Sequence, residues 1–330
     1  MNKRAYKEYQ LNNKHLTLPI LIYPVAAKLG YSVEEMSKDS DKTVECMKYI
    51  VANYPVSLSL CPMDLSVEAE AFGAKIRFSD DEVPTVVGSV IETVNDIDKI
   101  KIPHNGTHRT AKAVETIVKA KENLADKYVI ASCIGPYSLA GRLVSMTELM
   151  VGCYEDPDAV GALINICADY LTRYILNLKS AGADGVVMAE PAAGLLSPEF
   201  AAEFSCDYVK KIIDKVNEDF LFIYHNCGYV TKMAGELQNI GADIYHFGNA
   251  VDISEMLDLM PSDTIISGNI NPVMLTDSDC LSVKTTVSDL LNKCDKYSNF
   301  VLSTGCDVPP KAKFGNINAY FDAVKEFYGK

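Results

Sequence analysis

Short apolar runs alternate with longer amphipathic stretches along most of this chain. LPILIYP (18–24), YVIASCIG (128–135), ADGVVMAE (183–190), FLFIYH (220–225), ADIYHFG (242–248), TIISGN (264–269) and FVLSTGC (300–306) are rich in β-branched and aromatic residues. Apolar residues at consecutive positions predict strands buried on both faces, as in a parallel sheet. The stretches between them predict helices. Asp156-Pro157 supplies an N-cap and a proline at the first helical position, followed by a stripe of Leu163, Ile164, Cys167, Leu171, Tyr174, Ile175 and Leu178. Ser197-Pro198 repeats that start, with Phe200, Phe204, Tyr208 and Ile212 on the apolar face. AGAD (181–184) and IGAD (240–243) each place a glycine where a helix ends and a strand follows. Repeated helix–glycine–strand units, seven or eight of them, predict one (β/α)8 TIM-type barrel over residues 1–330, with an N-terminal extension. An open doubly wound sheet is the alternative; no G-x-G-x-x-G follows the first strand, which counts against it.

Composition narrows the function. The chain has 330 residues, 48% hydrophobic and 23% charged, an ordinary globular balance. Its net charge of −13 and pI near 4.9 argue against nucleic acid and anionic membranes as partners. The ten cysteines show no disulfide-framework spacing. The polar N-terminus MNKRAYKEYQLNNKHL lacks a signal-type apolar segment, and no uninterrupted apolar run reaches 18 residues. The expected setting is a reducing cytoplasm, with most cysteines acting as small buried hydrophobes.

The candidate chemistry sits in YHNCGYV (224–230). Alternate residues of a strand share a face, so His225 and Cys227 point one way and Tyr224 and Asn226 the other. The pair lies at the C-terminal end of its strand, where barrel enzymes build their sites. Cys306 and Glu190 end two other strands on the same rim. One imidazole and two thiolates suit Zn²⁺, with Glu190, a water or a substrate thiol in the fourth position. The residues alone leave the alternative open: a hydrogen-bonded core histidine beside inert thiols.

HNCG (225–228), GNINP (268–272) and GCDVPP (305–310), with MDLSVEAEAFGA (63–74), GPYSLAG (135–141) and AEPAAGLLSPEF (189–200) in the same order, resemble the uroporphyrinogen decarboxylase superfamily. Within it they look most like the zinc-dependent branch, the methylcobamide:coenzyme M methyltransferases and related corrinoid methyltransferases. The resemblance runs from about residue 18 to 328. It implies His225, Cys227 and Cys306 as zinc ligands. It also implies methyl transfer between a methylated corrinoid and a small acceptor, a thiol such as coenzyme M. Methyl transfer from a methoxyl or methylamine donor to a corrinoid protein is the runner-up. A porphyrinogen decarboxylase is disfavoured, because IYPVAAKLGYS (22–32) has no arginine where that enzyme carries an arginine-bearing segment. A non-catalytic, zinc-stabilised barrel is a third reading. The chain contains no D-x-H-x-x-G corrinoid-binding motif, so the corrinoid is expected on a separate protein or as free methylcobalamin.

Other residues carry weaker expectations. Asp64 lies about where the decarboxylase keeps its central aspartate, and is either a catalytic carboxylate or a loop residue. His246 ends another strand, lining the cavity as a catalytic group or bonding the backbone. Tyr137, Asn249 and Asn269 are candidates to contact corrinoid or substrate. Asp307 is a candidate partner to a zinc ligand, and Asn316 a turn cap.

Overall fold

A computed structural model describes residues 3–216 and 219–330. Among the described residues nine strands form: β1 Leu58–Leu60, β2 Lys75–Arg77, β3 Thr85–Val87, β4 Tyr128–Ile134, β5 Gly185–Ala189, β6 Leu221–Asn226, β7 Ile244–Phe247, β8 Ile265–Ile270 and β9 Phe300–Thr304. Seven of them make one curled parallel sheet in the order β1-β4-β5-β6-β7-β8-β9, while β2 and β3 form a separate antiparallel pair.

The expected eight-stranded barrel is therefore corrected to seven strands. LPILIYP does not form a strand over 18–24. Thr17 makes a single parallel bridge to Val56, the Leu18 amide donates to the Leu302 carbonyl at 3.1 Å, and Ile22–Lys28 is helical. Pro19 has no N–H to offer a ladder, whereas Pro24 lies in the first helical turn, where a missing N–H costs nothing. Residues 17–20 thus bond both β9 and the approach to β1 without becoming a strand. The remaining six predicted strands form within two residues of the expected bounds, and β1, three residues long, was not anticipated.

The helices follow from their caps. The Asp156 side chain accepts from the Ala159 amide, and Pro157–Ser180 buries the whole predicted stripe. That 24-residue helix is long and apolar enough to cross a membrane by length and composition, but it packs between the helices Pro136–Leu143 and Asp207–Val216. The helix after Ser197 is interrupted by a π turn at Ala202–Cys206, so its predicted stripe is only partly buried at Phe200 and Tyr208. Gly182 and Gly241 take positive φ (106° and 75°) as their helices end.

Two apolar layers hold the sheet. Its outer face meets the helices through Val186, Met188, Phe222, Tyr224, Tyr245 and Leu302. Its inner face, toward the strand N-termini, packs Leu58, Ile130, Val187, Leu221, Ile223, Ile244, Ile265 and Val301 together with Leu18 and Tyr6. Each fully buried aliphatic side chain there contributes about 1.5–3 kcal/mol. Tyr6 comes from the N-terminal helix Lys3–Asn12 and bonds Ser57 at 3.0 Å, sealing the lower end. Toward the strand C-termini the inner positions turn polar: His225, His246, Ser267 and Ser303 are all buried. Forgoing apolar burial there marks where the chemistry sits.

Candidate metal centre

His225 and His246 are direct partners in the β6–β7 register. His225 is 1% exposed, whereas Cys227 and Cys306 are partly exposed. One donor atom from each of His225, Cys227 and Cys306 lies within 4.8 Å of the others. His225 Nε2 stands 3.6 Å from Cys306 Sγ. Zn–S near 2.3 Å and Zn–N near 2.0–2.1 Å in a tetrahedron require N···S edges of about 3.5–3.6 Å. The donor chemistry and the spacing both fit zinc, with the thiol side open.

The chain around the cluster is fixed by residues that carry no metal-site signature. Asn226 is fully buried on the outer face. Its Nδ2 donates to the Glu190 carbonyl at 2.6 Å, and its Oδ1 accepts from the Gly228 amide at 2.8 Å. That side chain pins the turn carrying Cys227. Gly248 lets the next loop approach: a Cβ there would lie 2.5 Å from Cys227 Cα. Asn269 donates to the carbonyls of Gly248 and Val251 at 3.0 and 2.8 Å, holding that loop.

The two thiols share their protons. The hydrogen bond from Cys306 first, with the His225 ring beside it, holds Cys227 well below the usual thiol range, and the bond to Cys227 together with burial pushes Cys306 up. The first thiolate forms readily and the second reluctantly, so a cation that takes both must expel a proton and binds more tightly as pH rises. Behind the cluster, His225 Nδ1 lies 2.7 Å from His246 Nδ1 and 3.2 Å from the His246 carbonyl, and His246 Nε2 lies 2.7 Å from Ser303 Oγ. Burial pushes His246 well below the ordinary imidazole range, so it stays neutral. His246 thus contacts a candidate ligand directly.

The other expected residues fall elsewhere. Glu190 does not join the cluster. Ala189 faces inward, and the next side chain turns outward into the helix layer, where Glu190 Oε1 accepts from the Ser138 amide at 2.9 Å. Its Oε2 has no hydrogen-bond partner and rests where a Cβ on Gly135 would be; burial pushes the carboxyl up to about 8. Asp64 is bound by Arg109 Nη1 and the Ser66 amide, and Arg109 also donates to Glu70 at 2.6 Å, so its carboxylate is neutralised rather than free. Tyr137 is fully buried in the helix layer with its hydroxyl 3.8 Å from Cys153 Sγ, which removes it from the cavity. Tyr224 is likewise outward and fully buried. Asn249 is exposed beside Gly305, next to Cys306. Asp307 is raised by burial, then by Asp64 and Cys227, and its Oδ1 has no partner. Asn316 donates to the carbonyls of Leu275 and Ser278 at 3.1 and 2.9 Å, capping that turn.

Sequence reasoning missed Asn226, Arg109 and Ser303. Alternation along β6 places Asn226 opposite the ligands, but nothing in the order of residues tells that it spans Glu190 and Gly228. Arg109 lies 45 positions from Asp64 with no local signal.

Known proteins share this arrangement of elements. A methyltransferase from Methanosarcina mazei superposes with a TM-score of 0.84 at 20% identity, over 94% of each chain. In sequence, the chain is 28% identical to the methylcobamide:CoM methyltransferase MtbA of Methanosarcina mazei over 284 residues, covering 81% of this chain and 78% of that protein. It is 23% identical to the uroporphyrinogen decarboxylase of Carboxydothermus hydrogenoformans, covering 90% and 86%. The family profile of uroporphyrinogen decarboxylase (URO-D) matches residues 21–327, and the chain belongs to that family.

Proposed function

We propose that this chain is a corrinoid-dependent methyltransferase with zinc at His225, Cys227 and Cys306, and that a small thiol accepts the methyl group. The observation that carries the reading is the convergence of three donor atoms within 4.8 Å at the C-terminal ends of parallel strands, with the imidazole buried and the thiols partly exposed. Zinc held there supplies positive charge that keeps a substrate thiol ionised near neutral pH. His225 presents its Nε2 from a rigid strand. Asn226 and Gly248 fix the turn that sets Cys227. Two thiolates and a neutral imidazole give a donor set of charge −2, which balances the cation. In the transfer itself, the substrate thiolate attacks the methyl carbon of a methyl-Co(III) corrinoid. A sulfur–carbon bond forms, the cobalt–carbon bond breaks, and its electron pair stays on cobalt as Co(I). The corrinoid's own chemistry does the hard step, and the protein contributes position and charge.

The likeness to MtbA supports methyl transfer over decarboxylation. So does the scarcity of arginines: a porphyrinogen's several carboxylates call for arginine partners, and of the five in the chain Arg109 is already held by Asp64 and Glu70. The test is purified protein supplied with zinc. It should hold about one zinc per chain and demethylate methylcobalamin anaerobically in the presence of one member of a thiol panel, with the spectrum passing to Co(I). His225→Ala should do neither. Zinc-free protein, or decarboxylation of uroporphyrinogen, would end this reading.

A further inference from the structure

We propose that Ser303, taking its direction from the carbonyl of Leu18, fixes through His246 which nitrogen of His225 is free to hold a metal. The argument is a count of protons along one hydrogen-bond chain. Ser303 Oγ lies 2.7 Å from the Leu18 carbonyl and 3.0 Å from the Thr304 carbonyl. A carbonyl oxygen only accepts, so the single hydroxyl proton of Ser303 must point to these oxygens. Its lone pair then faces His246 Nε2 at 2.7 Å, and that nitrogen must carry a proton. The His246 ring is buried and its two partners, Ser303 and His225, are not anions, so it carries one ring proton and its other nitrogen, Nδ1, is a lone pair. It lies 2.7 Å from His225 Nδ1, which must therefore be the donor, with the His246 carbonyl at 3.2 Å as a second acceptor. His225 Nε2 is left unprotonated, 3.6 Å from Cys306 Sγ.

The reverse arrangement would aim the Ser303 hydroxyl at His246 and leave two carbonyl oxygens facing its lone pairs in a fully buried site. Segment 17–20, which fills the gap between β9 and β1, thus supplies the end point that orients the chain. Ser303 and His246 are positioning residues, since His225 alone among the three meets the metal. The consequence for zinc rests on the function proposed above; the proton assignment does not.

The experiment uses [15N]histidine-labelled protein. In metal-free wild type, at a pH where both imidazoles are neutral, NMR should show His225 as the Nδ1–H form and His246 as the Nε2–H form. Zinc affinity is then read by competition with a chromophoric chelator. Ser303→Ala and His246→Phe should each weaken zinc about 10–100-fold, the usual cost of losing a partner behind a ligand. Ser303→Ala should also admit the Nε2–H form of His225, and Ser303→Thr should restore both readouts. Finding His225 as Nε2–H in metal-free wild type overturns the proposal without any variant. Variants that hold zinc as tightly as wild type overturn the positioning role while leaving the metal site intact. Wild type that binds no zinc sinks the metal reading instead, and the tautomer spectrum still decides the proton assignment.

Discussion

Replacing Asn226 by alanine tests whether the turn that carries Cys227 is held by one side chain. The substitution removes two short hydrogen bonds, to the Glu190 carbonyl at 2.6 Å and from the Gly228 amide at 2.8 Å, and a long one to the Tyr224 hydroxyl at 3.5 Å. The buried Glu190 carbonyl keeps a second donor, the Ala193 amide at 3.2 Å, so losing Asn226 costs it an ordinary hydrogen bond, about 0.5–1.5 kcal/mol. Gly228 is half-buried and its amide can find water, so that loss is about 0.5–1 kcal/mol. The two short bonds together amount to about 1–2.5 kcal/mol, a sizeable share of a typical net stability of about 5–15 kcal/mol. With a urea slope near 3 kcal/mol per molar, the unfolding midpoint of metal-free protein should fall by roughly 0.3–0.8 M. Zinc should raise the midpoint less in the variant than in wild type, because the ligand turn must be ordered on binding. A midpoint shift equivalent to less than about 0.5 kcal/mol, the range of neutral surface changes, would refute the role given to Asn226.

Cys306→Ala should lose most of the zinc yet keep the secondary structure, because the aliphatic layer beneath is independent of the cluster; metal analysis and circular dichroism check this, and a variant that unfolds contradicts it. Glu190→Gln should flatten the pH dependence of stability. The wild-type carboxyl is raised on folding to about 8 from 4.5, so the native state binds more protons than the unfolded chain. Wild-type stability therefore falls as pH rises from about 4.5 to 8, by on the order of 5 kcal/mol in all, and the glutamine variant should not show that loss in denaturation at pH 5 and pH 8.

The sequence made the long strands legible because consecutive apolar residues leave few alternatives to a doubly buried strand. It made the His225–Cys227 pair legible because strand alternation places them on one face. The same alternation, applied to ADGVVMAE, sends Glu190 to the side opposite Ala189; the rim position was read and the parity was not. Residues 17–20 look like a strand by composition, but Pro19 and the helix beginning at Ile22 prevent a ladder. β1 was hidden by its three-residue length and its central serine. The links from Ser303 to His246, and from Arg109 to Asp64, join segments 57 and 45 positions apart. Only the folded sheet reveals them.

The sealed lower end of the curled sheet has a kinetic meaning. With Tyr6 wedged among the inner aliphatics and bonded to Ser57, the described residues close the side of the sheet beneath the cluster. Under the function proposed above, a small acceptor and a bulky corrinoid would then share the approach from the strand C-terminal ends. Two molecules that share one approach are expected to queue, the small one first and the large one after it, and product-inhibition kinetics would read that order.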